Sequence, residues 1–177
     1  MTQKTILYFD MDNVLEDFKS GIEATPASER EAYADDGTGH DHYDDIPGIF
    51  SRMKPVDGAI EAVQKLSEYY DCYILSTAPW GNLTALNEKI EWVKRYFNHT
   101  VPEVEIGPDE TNDGNPFYKK TIFSHHKELC KQEGAWLIDD RTKHGASEFG
   151  DHHIQFLTDC FPNWPSVVDF LIKQAKK

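Results

Sequence analysis

Long apolar runs are missing from this chain, cysteines are few, and positive charge is scarce. The longest apolar stretches, such as Cys72 to Leu75 and Trp136 to Ile138, are far shorter than the roughly 20 residues that span a bilayer. No signal-peptide apolar region follows Met1, so a cytoplasmic protein without a membrane partner is expected. The three cysteines, Cys72, Cys130 and Cys160, are far apart and form no C-x-x-C pair. They read as reduced thiols. Eighteen Lys and Arg stand against 31 Asp and Glu, a formal charge of −13. That balance repels a nucleic-acid backbone, which demands a basic stripe. A small phosphorylated substrate remains compatible, provided that a metal and a few cations neutralise the site locally.

At 177 residues the chain fits one domain with room for a small insertion. Five short apolar runs read as strands with polar tips: Thr5 to Phe9, Cys72 to Leu75, Thr121 to Phe123, Trp136 to Ile138, and His153 to Leu157. Between them, Ala59, Val63 and Leu66, then Leu86, Ile90, Val93 and Phe97, recur at helical steps, as do Val167, Val168, Leu171, Ile172 and Ala175. This alternation predicts an α/β fold, a mostly parallel sheet with helices on both faces. Ligands of such sheets bind at the carboxyl ends of the strands, where the polar tips converge.

Two stretches break the alternation. Residues 16–54 hold one short helix and an acidic, turn-rich run, and read as a small cap inserted after the first strand, leaving 1–15 and 55–177 as the core domain. Gly107 to Pro116 is nearly all turn formers and acids, and is expected to form a mobile surface loop.

The first strand ends in Asp10-Met11-Asp12, and alternation points both carboxylates to one side. One can act as a nucleophile while the other handles protons. Paired acids after a strand also cap helices, so the pair alone leaves both readings open. Thr77, at a later strand tip, offers a hydroxyl and an N–H to a phosphoryl oxygen. Lys127 offers a charge to phosphate and nucleophile, with Lys119 and Lys120 as rivals. Asp139 and Asp140 supply hard oxygens that would complete an Mg²⁺ shell with Asp10. Phe18, Phe50 and Trp80 fit the core of the cap junction.

The text F-D-M-D-N-V-L-E-D-F at 9–18, P-V-D-G-A-I-E-A-V at 55–63, Y-I-L-S-T-A-P-W at 73–80, I-F-S-H-H-K at 122–127 and L-I-D-D-R-T-K-H-G-A at 137–146 resembles the haloacid-dehalogenase superfamily. More narrowly it resembles the cytosolic-type 5′(3′)-deoxyribonucleotidases and their bacterial relatives. The resemblance implies a Rossmann-like core and a magnesium-dependent phosphomonoesterase acting on nucleoside monophosphates through an aspartyl phosphate. It implies Asp10 as nucleophile, and Asp12 as general acid and then base with its backbone carbonyl on the metal. Thr77 and Lys127 would contact phosphate, Asp140 would ligate the metal with Asp139 in support, and Phe18 would face the substrate. Under the same resemblance Phe18 and Phe50 each fit contact with a nucleobase as well as they fit the core. Two departures stand out: Asn13 where many relatives have Gly, and Ala78 where animal relatives have a phosphate-binding serine. A sugar phosphate or another small metabolite is the alternative substrate. A phosphoacceptor signalling module is a remoter alternative, disfavoured because such modules carry their acidic pair first, whereas Asp139-Asp140 comes last.

Overall fold

The structure, a computed structural model, describes residues 4–35, 37, 39–100 and 114–176. In chain order the elements are β1 (Ile6–Phe9), β2 (Glu16–Asp17), α1 (Phe18–Ala24), α2 (Ala27–Arg30), β3 (Lys54–Pro55), α3 (Ala59–Ser67), β4 (Asp71–Ser76), α4 (Ala85–Phe97), β5 (Thr121–Phe123), β6 (Trp136–Asp139), β7 (His153–Gln155) and α5 (Trp164–Ala175), with short 3-10 turns between them. Of the expected loop at 107–116, residues 107–113 lie outside the described residues.

β1 is the middle strand of a five-stranded parallel sheet ordered β5-β4-β1-β6-β7. Its apolar run is continuous because a central parallel strand is covered on both faces. Leu7 and Phe9 enter the larger buried cluster, to which α3, α4 and α5 contribute; Tyr8 points into a smaller one with Leu75, Leu137, Ala146 and Phe149. Among the described residues that second face is covered by 3-10 turns at Lys127–Cys130 and Ala146–His152. α5 starts cleanly because the Asn163 side chain accepts from the Ser166 N–H at 3.1 Å and Pro165 occupies its first turn.

Three readings change at the level of single residues. The last strand stops at Gln155, not Leu157, because the chain turns there: Leu157 has φ 61 and its N–H donates to the Phe161 carbonyl. On α4 the buried face is Ala85, Glu88, Lys89, Trp92, Val93 and Phe97, so two charged residues occupy core positions while Leu86 is half exposed. Trp80 is 92% exposed and is no part of a cap junction core.

Residues 16–54 are pinched at the base by the antiparallel β2–β3 ribbon, with Glu16 opposite Pro55 and Asp17 opposite Lys54. Among the described residues this insertion has no core of its own, since Ile46, Ile49, Phe50 and Met53 belong to the same buried cluster as Phe9 and Trp92. Polar straps from the α4 side hold it down. The Asn82 amide donates to the carbonyls of Asp44 and Ile46, both at 3.0 Å; the Trp92 indole N–H donates to the Met53 carbonyl at 2.9 Å. Gly81 lets the two parts meet closely, because a Cβ there would come within 2.5 Å of Asp45 Oδ1. No helix among the described residues is long and apolar enough to cross a membrane.

Candidate active site

Parallel alignment of β1, β4 and β6 brings Asp10, Thr77, Asp139 and Asp140 to one edge of the sheet. Asp10 follows β1 directly, and its N–H donates to the Ile138 carbonyl of β6 at 2.9 Å, which fixes the side chain over the strand end. Lys127 comes from the turn after β5, held by its own N–H donating to the His144 carbonyl. Its ammonium is buried, 3.0 Å from Asp10 Oδ1 and 2.5 Å from Asp139 Oδ2. Asn13, in the left-handed region at φ 59, donates its amide to Asp140 Oδ2 at 3.2 Å.

One ligand atom each from Asp10, Asp139 and Asp140 can be chosen so that all lie within 4.8 Å of one another. Three carboxylates this close are costly to bury without a cation. Lys127 answers part of that charge and Arg141 Nε lies 3.6 Å from Asp140 Oδ1. Even so, while Asp10 Oδ1 meets the Lys127 ammonium, Asp10 Oδ2 and Asp140 Oδ1 are buried without a hydrogen bond. Orphaned hard oxygens in this arrangement suit a divalent cation such as Mg²⁺.

The electrostatics agree with that fit. Burial alone would raise the Asp10 carboxyl, but the ammonium groups of Lys127 and Lys89 outweigh it and hold the group below the ordinary aspartate value. Burial, with the Asp10 charge beside it, pushes Asp139 up to about 6 against the pull of Lys127. Burial also raises Asp140, despite the hydrogen bond from Asn13.

Above this floor lies a cleft of about 660 Å³. Asp12, Thr77 and Arg141 line its base, Phe18, Tyr43 and Asp44 its insertion side, and Trp80 its rim. Ala78 brings no hydroxyl, and its carbonyl is engaged by Nε2 of His125 at 2.9 Å. Phe50, expected as an alternative base contact, is fully buried and does not line the cleft. It packs beneath Phe18, ring centroids 6.4 Å apart, and its ring faces the Lys89 ammonium at 4.4 Å. A ring held by that packing is walled off from solvent, which corrects the expectation.

Lys89, Glu16 and Glu88 escaped the sequence reading. Lys89 Nζ donates to Asp12 Oδ1 at 2.9 Å and to Glu16 Oε1 at 3.0 Å. Glu88 accepts the N–H groups of Gly48 and Phe50 at 2.7 and 3.1 Å. For Glu88 and Lys89 the available signal was spacing, since both fall on the helical stripe that contains Ala85 and Trp92.

Residues 34–107 match the family described as 5′ nucleotidase, deoxy (pyrimidine), cytosolic type C protein. A protein of Vibrio phage KVP40, provisionally named a 5′(3′)-deoxyribonucleotidase, is 46% identical over 175 residues, 99% of this chain and 89% of the relative. A mimivirus protein with the same provisional assignment is 26% identical, covering 80% of this chain and 67% of its own. In fold, the chain resembles a haloacid-dehalogenase-like family hydrolase from Xanthomonas campestris with a TM-score of 0.51 at 15% identity, covering 98% of this chain and 99% of that one.

Proposed function

The chain belongs to the 5′(3′)-deoxyribonucleotidase family, and on that premise we propose that it is a magnesium-dependent phosphatase that removes phosphate from deoxyribonucleoside monophosphates through an aspartyl phosphate. The observation that carries this reading is the buried Asp10 carboxylate, its Oδ1 ion-paired to Lys127, its Oδ2 without a hydrogen bond, and Asp139 and Asp140 beside it.

Asp10 attacks phosphorus, forming the Asp10 O–P bond as the P–O bond to the nucleoside breaks. Asp12 gives the departing oxygen its proton. Water then attacks the acyl phosphate, Asp12 takes a proton from it, and the O–P bond to Asp10 breaks to release inorganic phosphate. Lys127 serves twice, keeping Asp10 ionised before the attack and sharing the charge of the phosphoryl oxygens during it. Thr77 supplies a hydroxyl and an N–H at the cleft base. Asp10 and Asp140, with the Asp12 carbonyl and Asp139 in support, would hold the Mg²⁺, whose charge when bound offsets the repulsion between carboxylates and phosphate. Phe18 supports a nucleobase contact by its position on the insertion side of the cleft, and residues 16–54 act as the cap that selects the substrate. The three cysteines are free thiols, in keeping with a cytoplasmic enzyme.

Phosphate release from a panel of deoxyribonucleotides, ribonucleotides and sugar phosphates, with Mg²⁺ and after chelation, tests the reading. Deoxyribonucleoside monophosphates are expected to turn over fastest, and only with the metal. Sugar phosphates preferred over every nucleotide would overturn the substrate, and turnover indifferent to chelation would overturn the metal.

A further inference from the structure

We propose that Lys89 is a positioning residue for proton transfer, holding the Asp12 carboxylate in the orientation from which it serves the leaving group. This rests on the reading of Asp12 as acid and base.

An amphipathic helix gains nothing by burying charge without a purpose for it, yet α4 buries Glu88 and Lys89 in adjacent positions. The Lys89 side chain is 0% exposed and crosses from α4 to the β1–β2 connection. Its ammonium has three N–H donors; Asp12 Oδ1 and Glu16 Oε1 accept two of them, at 2.9 and 3.0 Å. The Phe50 ring covers the group from a further side, 4.4 Å from centroid to nitrogen. Phe50 is itself pinned, because Glu88 accepts its N–H. The ammonium therefore has one place to be. Asp12 keeps 14% of its side-chain surface open and lines the cleft, so one end of its carboxylate is tethered while the group still reaches substrate. Glu16, wholly buried, anchors Lys89 from the side away from solvent. Neither Lys89 nor Glu16 lines the cleft, and the side-chain hydrogen bond that joins Lys89 to a residue of the cleft is the one to Asp12.

The role has a signature that loss of general stability lacks. A deoxyribonucleoside leaves as a strongly basic alkoxide and needs a proton, whereas p-nitrophenolate departs without one. Lys89→Met is expected to lower kcat/KM for a deoxyribonucleoside monophosphate about a hundredfold, the scale of a misplaced acid, and for p-nitrophenyl phosphate less than about fivefold. Because a lone Glu16 could unfold that variant, the doubly apolar Lys89→Met/Glu16→Leu is measured beside it, with the same pattern expected. Equal losses on the two substrates in either folded variant would overturn the proposal, as would near-normal rates on both. Asp12→Asn separates the two levels. If it shows the leaving-group pattern and the Lys89 variants do not, only the role of Lys89 falls. If Asp12→Asn depresses both substrates equally, the acid assignment itself falls.

Discussion

Lys127 Nζ stands 3.0 Å from Asp10 Oδ1, although the two residues are separated by more than a hundred positions and reach each other only because β1 and the turn after β5 end at the same edge. The pair keeps a wholly buried carboxylate ionised, the state a nucleophile needs. Asp10→Asn is expected to lower kcat on the order of a thousandfold or more, while a cooperative thermal transition persists because Lys127 retains Asp139. A variant with near-normal kcat would remove Asp10 from the role.

The orphaned oxygens of Asp10 and Asp140 predict a stability effect of Mg²⁺ without substrate. A ligand at about a hundred times its Kd adds roughly 2.7 kcal/mol, which for a domain of this size raises Tm by roughly 5–10 °C. Asp140→Asn should abolish most of that rise. A melting curve unmoved by Mg²⁺ would contradict the assigned cation site.

Phe18 and Phe50 should separate cleanly. Phe18 lines the cleft, so Phe18→Ala is expected to raise KM for a nucleotide by roughly five- to a hundredfold, the worth of one stacked base, and to leave a sugar phosphate almost unaffected. Phe50 is fully buried, so Phe50→Ala should cost about 3–5 kcal/mol in denaturant unfolding. A Phe18 variant that handles both substrate classes alike would show that the ring does not meet the base.

Glu16 gives a pH test. Burial lifts its carboxyl well above the ordinary glutamate value of 4.5, against the opposing pull of Lys89. A raised value in the folded state means that its stabilising contribution is complete below pH 4.5 and is lost as pH rises through the folded value. Glu16→Gln has no such loss, so its Tm should fall less than that of the parent between pH 5 and pH 8. Parallel Tm profiles would show that Glu16 titrates alike in both states.

Much of this architecture can be read from pattern alone, and the reason is physical. A strand buried on both faces must be continuously apolar, so Leu7 to Phe9 or Leu137 to Ile138 announce themselves, and the first polar residue afterwards marks the functional edge. The gathering of Asp10, Thr77, Lys127, Asp139 and Asp140 was anticipated by their order at those tips. Lys89, Glu88 and Glu16 were not, because a charge inside a helical or turn segment reads as a solvated face until a partner from another element is seen opposite it. Phe50 misleads for the converse reason: aromatics lining a cleft and aromatics flooring it have the same local sequence signature, and only the ring of Phe18 above it decides between them.

The insertion between β2 and β3 has a consequence for anyone who would redesign this enzyme. Since Ile46, Ile49, Phe50 and Met53 complete the main core, and Asn82, Glu88 and Trp92 hold their backbone, residues 16–54 are not an interchangeable cassette. Grafting a relative's loop into this chain would leave a hole in the host and dangling polar groups on α4. A transplant that works has to carry the inward face of α4 with it, so the smallest transferable unit here is a loop together with the helix beneath it.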